Sequence, residues 1–217
     1  MLKRAPFAVL AAAGLLAAPH ASAQMKPFAG GGLGFNTVAA DSTLQQPLVP
    51  DEKTTSGKSN LAFQIEGGVR FDNPGPMVWG VGLYISPLAL KADEQDDGAG
   101  TTTKTEVKNL MGLFGELGWK LGSATVAYGR LSFNQAKVES KLVQPGGPNG
   151  TVSKSFTGIG LGAGVRHALA GNRYLFADWH HIMGSEVKVT DATLMGTDTI
   201  KITPTITTGL IGMGWTF

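Results

Sequence analysis

LIGMGWTF, residues 210–217, closes the sequence on a strict alternation. Successive side chains of an extended chain point to opposite faces. Ile211, Met213, Trp215 and Phe217 therefore share one face, and Gly212, Gly214 and Thr216 share the other. Chain ends are usually polar and frayed. This one asks for a nonpolar surface on its first face and leaves its second face nearly bare.

The same period of two recurs through seven further stretches. In LAFQIEGGVRFD (61–72), Leu61, Phe63, Ile65, Val69 and Phe71 oppose Gln64, Glu66 and Arg70; in MVWGVGLYIS (77–86), Trp79, Val81, Leu83 and Ile85 oppose Gly80, Gly82, Tyr84 and Ser86. LMGLFGELGWKL (110–121) sets Met111, Leu113, Leu117 and Trp119 against Gly112, Phe114, Glu116 and Lys120. FTGIGLGAGVRH (156–167) sets Ile159, Leu161, Ala163 and Val165 against four glycines and Arg166. Residues 28–36, 126–134 and 173–183 complete the set, with Arg130, Asp178 and His180 assigned to the inner face. Alternation over such lengths is the signature of strands with two different faces.

The connections alternate as well. Tight turns rich in Gly, Pro and Asn are expected at 72–76, 121–124 and 169–172, and long polar loops at about 40–60, 92–104, 139–153 and 187–200. Short turns on one side and long loops on the other, with an even number of strands, describe an all-β, eight-stranded antiparallel up-and-down transmembrane β-barrel of the bacterial outer-membrane type. Trp79, Trp119 and Trp215 all fall next to the short-turn end, where an aromatic girdle belongs. Glycine, 31 of 217 residues, is about twice the usual share of roughly 7%. Most of it lies inside the alternating runs, so it is read as making room in an interior only just wide enough for side chains.

Residues 1–23 read as a cleaved secretory signal: Lys3 and Arg4, an apolar stretch from Phe7 to Ala18, then Ala21, Ser22 and Ala23. That leaves 24–217 as the barrel, with 16 basic and 16 acidic residues once Lys3 and Arg4 are removed. Such a balance makes no electrostatic case for nucleic acid. The sequence has no cysteine, so an exported chain would be held together without disulfides. No run of about 20 apolar residues follows the signal, so strands rather than helices must do any membrane crossing.

Counted up from the short turns, the inward charges reach similar heights. Glu66 is six residues above its turn, Glu116 about five, Arg130 about six, Asp178 about five and His180 about seven, with Arg70, Arg166 and Tyr84 nearby. Ionised groups in a narrow interior must pair or lose their charge, so Glu66, Arg70, Glu116, Arg130, Arg166, Asp178 and His180 are read as an interior salt-bridge plug. A hydrolase reading of DWHHIMGS (178–185) fails on parity: Asp178 and His180 point in, whereas His181 and Ser185 point out and stand about 13 Å apart. DEQDDGAGTTTKTE (93–106) resembles the first half of a calcium loop at Asp93, Gln95, Asp97 and Gly98 but carries Lys104 where a bidentate Glu is required. No metal, cofactor or catalytic group is assigned.

The signal, the eight alternating strands, the early FAGGGLGFN (28–36) and the terminal Trp215 and Phe217 resemble the small outer-membrane β-barrel family that includes OmpX, the OmpA membrane domain and the neisserial opacity proteins. That resemblance implies outer-membrane lipid and lipopolysaccharide as surroundings. It implies barrel-assembly machinery and periplasmic chaperones during biogenesis, with Trp215 and Phe217 as the assembly signal. It also implies a host or surface ligand at the outer loops. The expected function is structural and surface-interacting, of adhesion type, without enzymatic activity. A small passive channel is the alternative, and lipid A modification the third reading.

Overall fold

Each alternating run becomes one antiparallel strand of a closed sheet. The computed structural model describes residues 24–46, 49–96, 102–143, 150–190 and 199–217. Ten strand segments are present: β1 Gln24–Gln46, β2 Val49–Asp72, β3 Met77–Ser86, β4 Leu90–Asp96, β5 Thr102–Lys120, β6 Thr125–Val143, β7 Gly150–Ala168, β8 Arg173–Gly184, β9 Val187–Thr190 and β10 Thr199–Thr216. β4 continues the path of β3, and β9 that of β8, so the wall has eight staves. Each stave pairs with its neighbours in sequence, and β10 pairs with β1 to close the ring.

Closure answers the question posed by residues 210–217. β10 pairs with β1 from Phe28↔Thr216 to Gln45↔Thr199, and the Phe217 amide donates to the Pro27 carbonyl at 2.9 Å. A last strand that supplies one side of the closing seam must be ordered to its end, because an unpaired edge cannot sit in lipid. The register also sets the barrel's shape. Following partners around the ring from Ala29 leads through Gly67, Leu83, Leu113, Phe133, Ile159, Met183 and Thr205 to Ala39, ten residues farther along β1. Eight strands with a shear of ten lean by about 40° and enclose a narrow lumen.

The three tight connections lie where the sequence placed them. In the third, Gly171 (φ 71°) and Asn172 (φ 62°) are consecutive left-handed residues. That conformation suits a tight hairpin, and Gly and Asn adopt it at least cost.

The long loops need correction. Most of 40–60 is strand, β1 and β2 staying paired to Gln46↔Val49. Likewise β5 pairs with β6 from Thr102↔Val143, β7 begins at Gly150, and β10 begins at Thr199. The tips 97–101, 144–149 and 191–198, with Asp97 and Gly98 of the calcium-like stretch, lie outside the described residues, as does 1–23, the stretch expected to be a signal.

These extensions, and the strand just below them, carry inverted polarity. On β6 the outward residues change from exposed Leu131 and Phe133 to Lys137 and Lys141, while the inward ones change from Arg130, Ser132 and Asn134 to Ala136 and Val138. β6 pairs with β7 without a register shift, so the faces themselves do not swap. On β10, outward Ile211 and Met213 give way to Thr207, Thr205 and Thr203, and inward Gly214 and Gly212 give way to Ile206 and Ile202. The lower part is apolar outside, as lipid demands; the upper part is apolar inside, as water demands. The apolar belt covers residues 77–85 on β3 and 175–183 on β8, nine on each, close to the roughly 9–11 residues a tilted strand needs to cross a bilayer.

Candidate functional site

The lumen is filled in three tiers. The lowest holds three arginines and three carboxylates from five strands. Glu116 Oε1 accepts from Arg70 Nε (2.7 Å) and from Arg166 Nη1 (3.0 Å) and Nη2 (2.9 Å). Arg130 spans the upper part of this tier, with Nη1 2.8 Å from Asp178 and Nη2 3.0 Å from Glu66 and 3.6 Å from Glu116. A looser contact of 3.7 Å joins Arg70 to Glu66. None of the six side chains is more than 9% exposed. Burying one ion costs several kcal/mol. Three positive and three negative groups interleaved in one layer offset much of that cost.

Aromatic faces close the gaps between the charges. Arg70 lies 3.5 Å over the ring of Phe28, Arg130 4.0 Å over Phe114, and Arg166 4.7 Å over Tyr128. A guanidinium is planar and weakly hydrated, so it packs on a ring while its edge keeps bonding to carboxylates. Bulk on some strands demands bareness on others. A Cβ on Gly82 would stand 2.6 Å from Phe114 Cζ, and one on Gly164 2.5 Å from Tyr128 Cζ.

The middle tier is neutral. Tyr84 donates to Asn134 Oδ1; Asn134 Nδ2 donates to Ser132 Oγ at 2.9 Å; Ser132 Oγ in turn lies 2.8 Å from His180 Nε2. Thr208 hydrogen-bonds to Asn36 at the same level. His180 is thus placed beside Ser132 and edge-on to Tyr84, not in an ion pair. Above this tier the lumen is apolar, packed by Val38, Leu90, Val107, Leu110, Ala136, Phe156, Ile182 and Ile206.

Among the outward groups, His181 Nδ1 lies 2.9 Å from Thr207 Oγ1, and its ring stacks on Trp179. Ser185 is hydrogen-bonded to the Thr157 backbone instead. No triad is assembled from DWHHIMGS. Among the described residues, no group of three His, Asp or Glu side chains is arranged to hold a metal ion.

Residues 8–205 match the family described as outer membrane protein beta-barrel domain. The chain belongs to the outer-membrane β-barrel family. This outer-membrane barrel is similar in fold to a major outer membrane protein of Thermus thermophilus, at 13% identity over 84% of this chain and 99% of that one, with a TM-score of 0.50. It also aligns with Ail, the attachment invasion locus protein of Yersinia pestis, seen with the heparin analogue sucrose octasulfate (13% identity; 86% of this chain, 99% of that one; TM-score 0.41), and with the outer membrane protease OmpT of Escherichia coli (10%; 88% and 97%; 0.49). No curated protein matches it.

In a barrel of this family the short turns face the periplasm and the long hairpins face outward. Trp119 and Trp215 are half-exposed on the outer wall next to the periplasmic turns, and Trp79 stacks on Phe71 at 3.9 Å at the same end. Phe217 is 76% exposed beside them. Trp179, the fourth tryptophan, sits higher on the wall beside His181. Sequence reasoning missed Ser132, Asn134, Tyr128 and Tyr174 as lumen residues. Their inward parity is present in the runs 126–134 and 173–183.

Proposed function

We propose that this chain is a closed, non-enzymatic outer-membrane barrel that carries paired hairpins out of the bilayer as a surface for interaction. The observation supporting this reading is the lumen filled in three tiers, ionic, polar and apolar in turn. A passive channel needs a continuous wet path, such as a stripe of one sign would leave. Here the six charges pair across the lumen and an apolar layer lies above them. A lipid A deacylase reading, which by resemblance implies an outward His and Ser two residues apart, lacks that spacing here, and outward His181 bonds to Thr207.

In this reading Glu66, Arg70, Glu116, Arg130, Arg166 and Asp178 are the structural plug, with His180 sealing the tier above. Trp79, Trp119 and Trp215 anchor the wall at the periplasmic interface, and Trp215 with Phe217 presents the assembly signal. Lipid and lipopolysaccharide surround the belt, and a host or surface ligand meets the hairpins. The test is conductance of the purified protein in a planar bilayer. A silent membrane is expected, and stable ohmic steps from the unaltered protein would overturn the closed-barrel reading.

A further inference from the structure

The periplasmic end of the lumen opens into a basin of about 420 Å³ between the turns. Its charge is one-sided. Lys26, Arg70, Lys120, Arg166 and Arg173 line it, against Asp72 in the lining and Glu116 just above. The ion layer above already balances Arg70 and Arg166, so Lys26, Lys120 and Arg173 against Asp72 leave an excess of two positive charges. The carboxylates are already engaged: Asp72 is shared by Lys26 (2.9 Å) and Lys120 (2.6 Å), and Glu116 Oε1 by Arg70 and Arg166.

Among the described residues three donors in this wall have no hydrogen-bond acceptor, the third being the Tyr174 hydroxyl. Arg70 Nη1 and Arg166 Nε are buried without a hydrogen-bond partner, on side chains 6% and 9% exposed. A buried charged donor left unpaired is costly and calls for an acceptor. Among the described residues Arg173, in the rim, donates through Nε to the Ala170 carbonyl at 3.3 Å.

We propose that the basin binds a phosphate-class oxyanion. Three guanidinium groups on β2, β7 and the start of β8 surround one cavity, and their planar forks match the oxygens of a phosphoryl group. A dianion there neutralises the two excess charges and supplies acceptors to Arg173, Lys26 and Lys120 in the lining. The volume also admits the small molecule that carries the phosphoryl group. The basin lies at the opposite end of the lumen from the hairpins, so the site is independent of any ligand that the hairpins take.

The test is calorimetric titration of the purified chain, in zwitterionic detergent, with inorganic phosphate at an ionic strength held constant with chloride. Saturable binding with one phosphate per barrel is expected. Arg173→Gln should bind about tenfold more weakly, the loss of one charge-assisted hydrogen bond. Arg166→Gln should lose binding altogether, heat-modifiable migration showing that it still forms the barrel. Lys120→Gln, at the rim, gives a second reading if Arg166→Gln does not fold, and it too should be about tenfold weaker. Parallel titrations with glycerol phosphate and with a short-chain phosphodiester lipid separate a soluble phosphate ester from a lipid headgroup. No saturable phosphate binding, or wild-type affinity in both Arg173→Gln and Lys120→Gln, would overturn the assignment.

Discussion

Arg130 and Val138 stand on the same face of β6, eight residues apart, and both are buried; Leu131 and Glu139 stand on the other face. In the lower half of the barrel the charge is inside and the leucine outside. In the upper half the valine is inside and the glutamate outside. A single uninterrupted strand therefore reads two solvents. Lipid outside permits a polar interior, because no hydrophobic gain comes from burying apolar groups there, whereas water outside restores the ordinary preference. Where the polarity flips, near Gln135 on β6 and Thr207 on β10, is where the barrel leaves the bilayer.

The largest effect should come from the lower interior. Arg130→Ala strands Glu66 and Asp178, and removing one partner of a buried pair costs about 3–5 kcal/mol. The denaturant midpoint should fall accordingly. Adding Asp178→Asn should recover part of the loss, since one stranded charge is gone. Unchanged stability in Arg130→Ala would mean that the ion layer is solvated.

The upper interior should respond as a soluble core does. Ile206→Ala removes a fully buried side chain, at about 2–5 kcal/mol for the lost burial and the cavity. A negligible cost would make the upper tier wet and weaken the contrast with the lower one.

On the outer wall the two halves should differ in their tolerance of charge. Leu131→Arg places a cation in the belt and should cost about 2–4 kcal/mol, whereas Glu139→Arg, eight residues along the same face, should change the denaturant midpoint far less. Equal costs at both sites would remove the boundary between them.

The smallest effect is acid-dependent. Hydrogen bonds from Lys108 and Lys141 hold the Glu139 carboxyl below its ordinary range, and the same contact raises Lys108. A depressed carboxylate stabilises the fold above its unfolded pKa and loses that contribution as pH falls through the lower folded value. A shallow loss of stability below about pH 4 is therefore expected. Glu139→Gln should erase it, and so should high salt.

The belt was legible in the sequence because there the apolar face is made of large residues and glycine marks the other. Parity in those runs turns Glu66 and Glu116 inward, whereas on 126–134 and 173–183 the inner face is assigned through Arg130 and Asp178 themselves. Beyond the belt the alternation persists as KITPTITT, residues 201–208, with Ile202, Pro204 and Ile206 facing inward and Lys201, Thr203, Thr205 and Thr207 outward, a weaker contrast than glycine against large apolar residues. The basin was hidden for a different reason. Lys26, Lys120 and Arg173 each lie beside a different turn or end, and only the ring closure brings them together.

Because the chain lacks cysteine, single cysteines can be placed along β6 without a background thiol. Substitutions at Leu131, Phe133, Lys137, Glu139 and Lys141, in protein reconstituted in vesicles, would be labelled with a membrane-impermeant thiol reagent. Polarity inversion at Gln135 requires Leu131 and Phe133 to be protected and Lys137, Glu139 and Lys141 to react fully. Protection that continues through Lys141, or reaction that begins at Leu131, would contradict it.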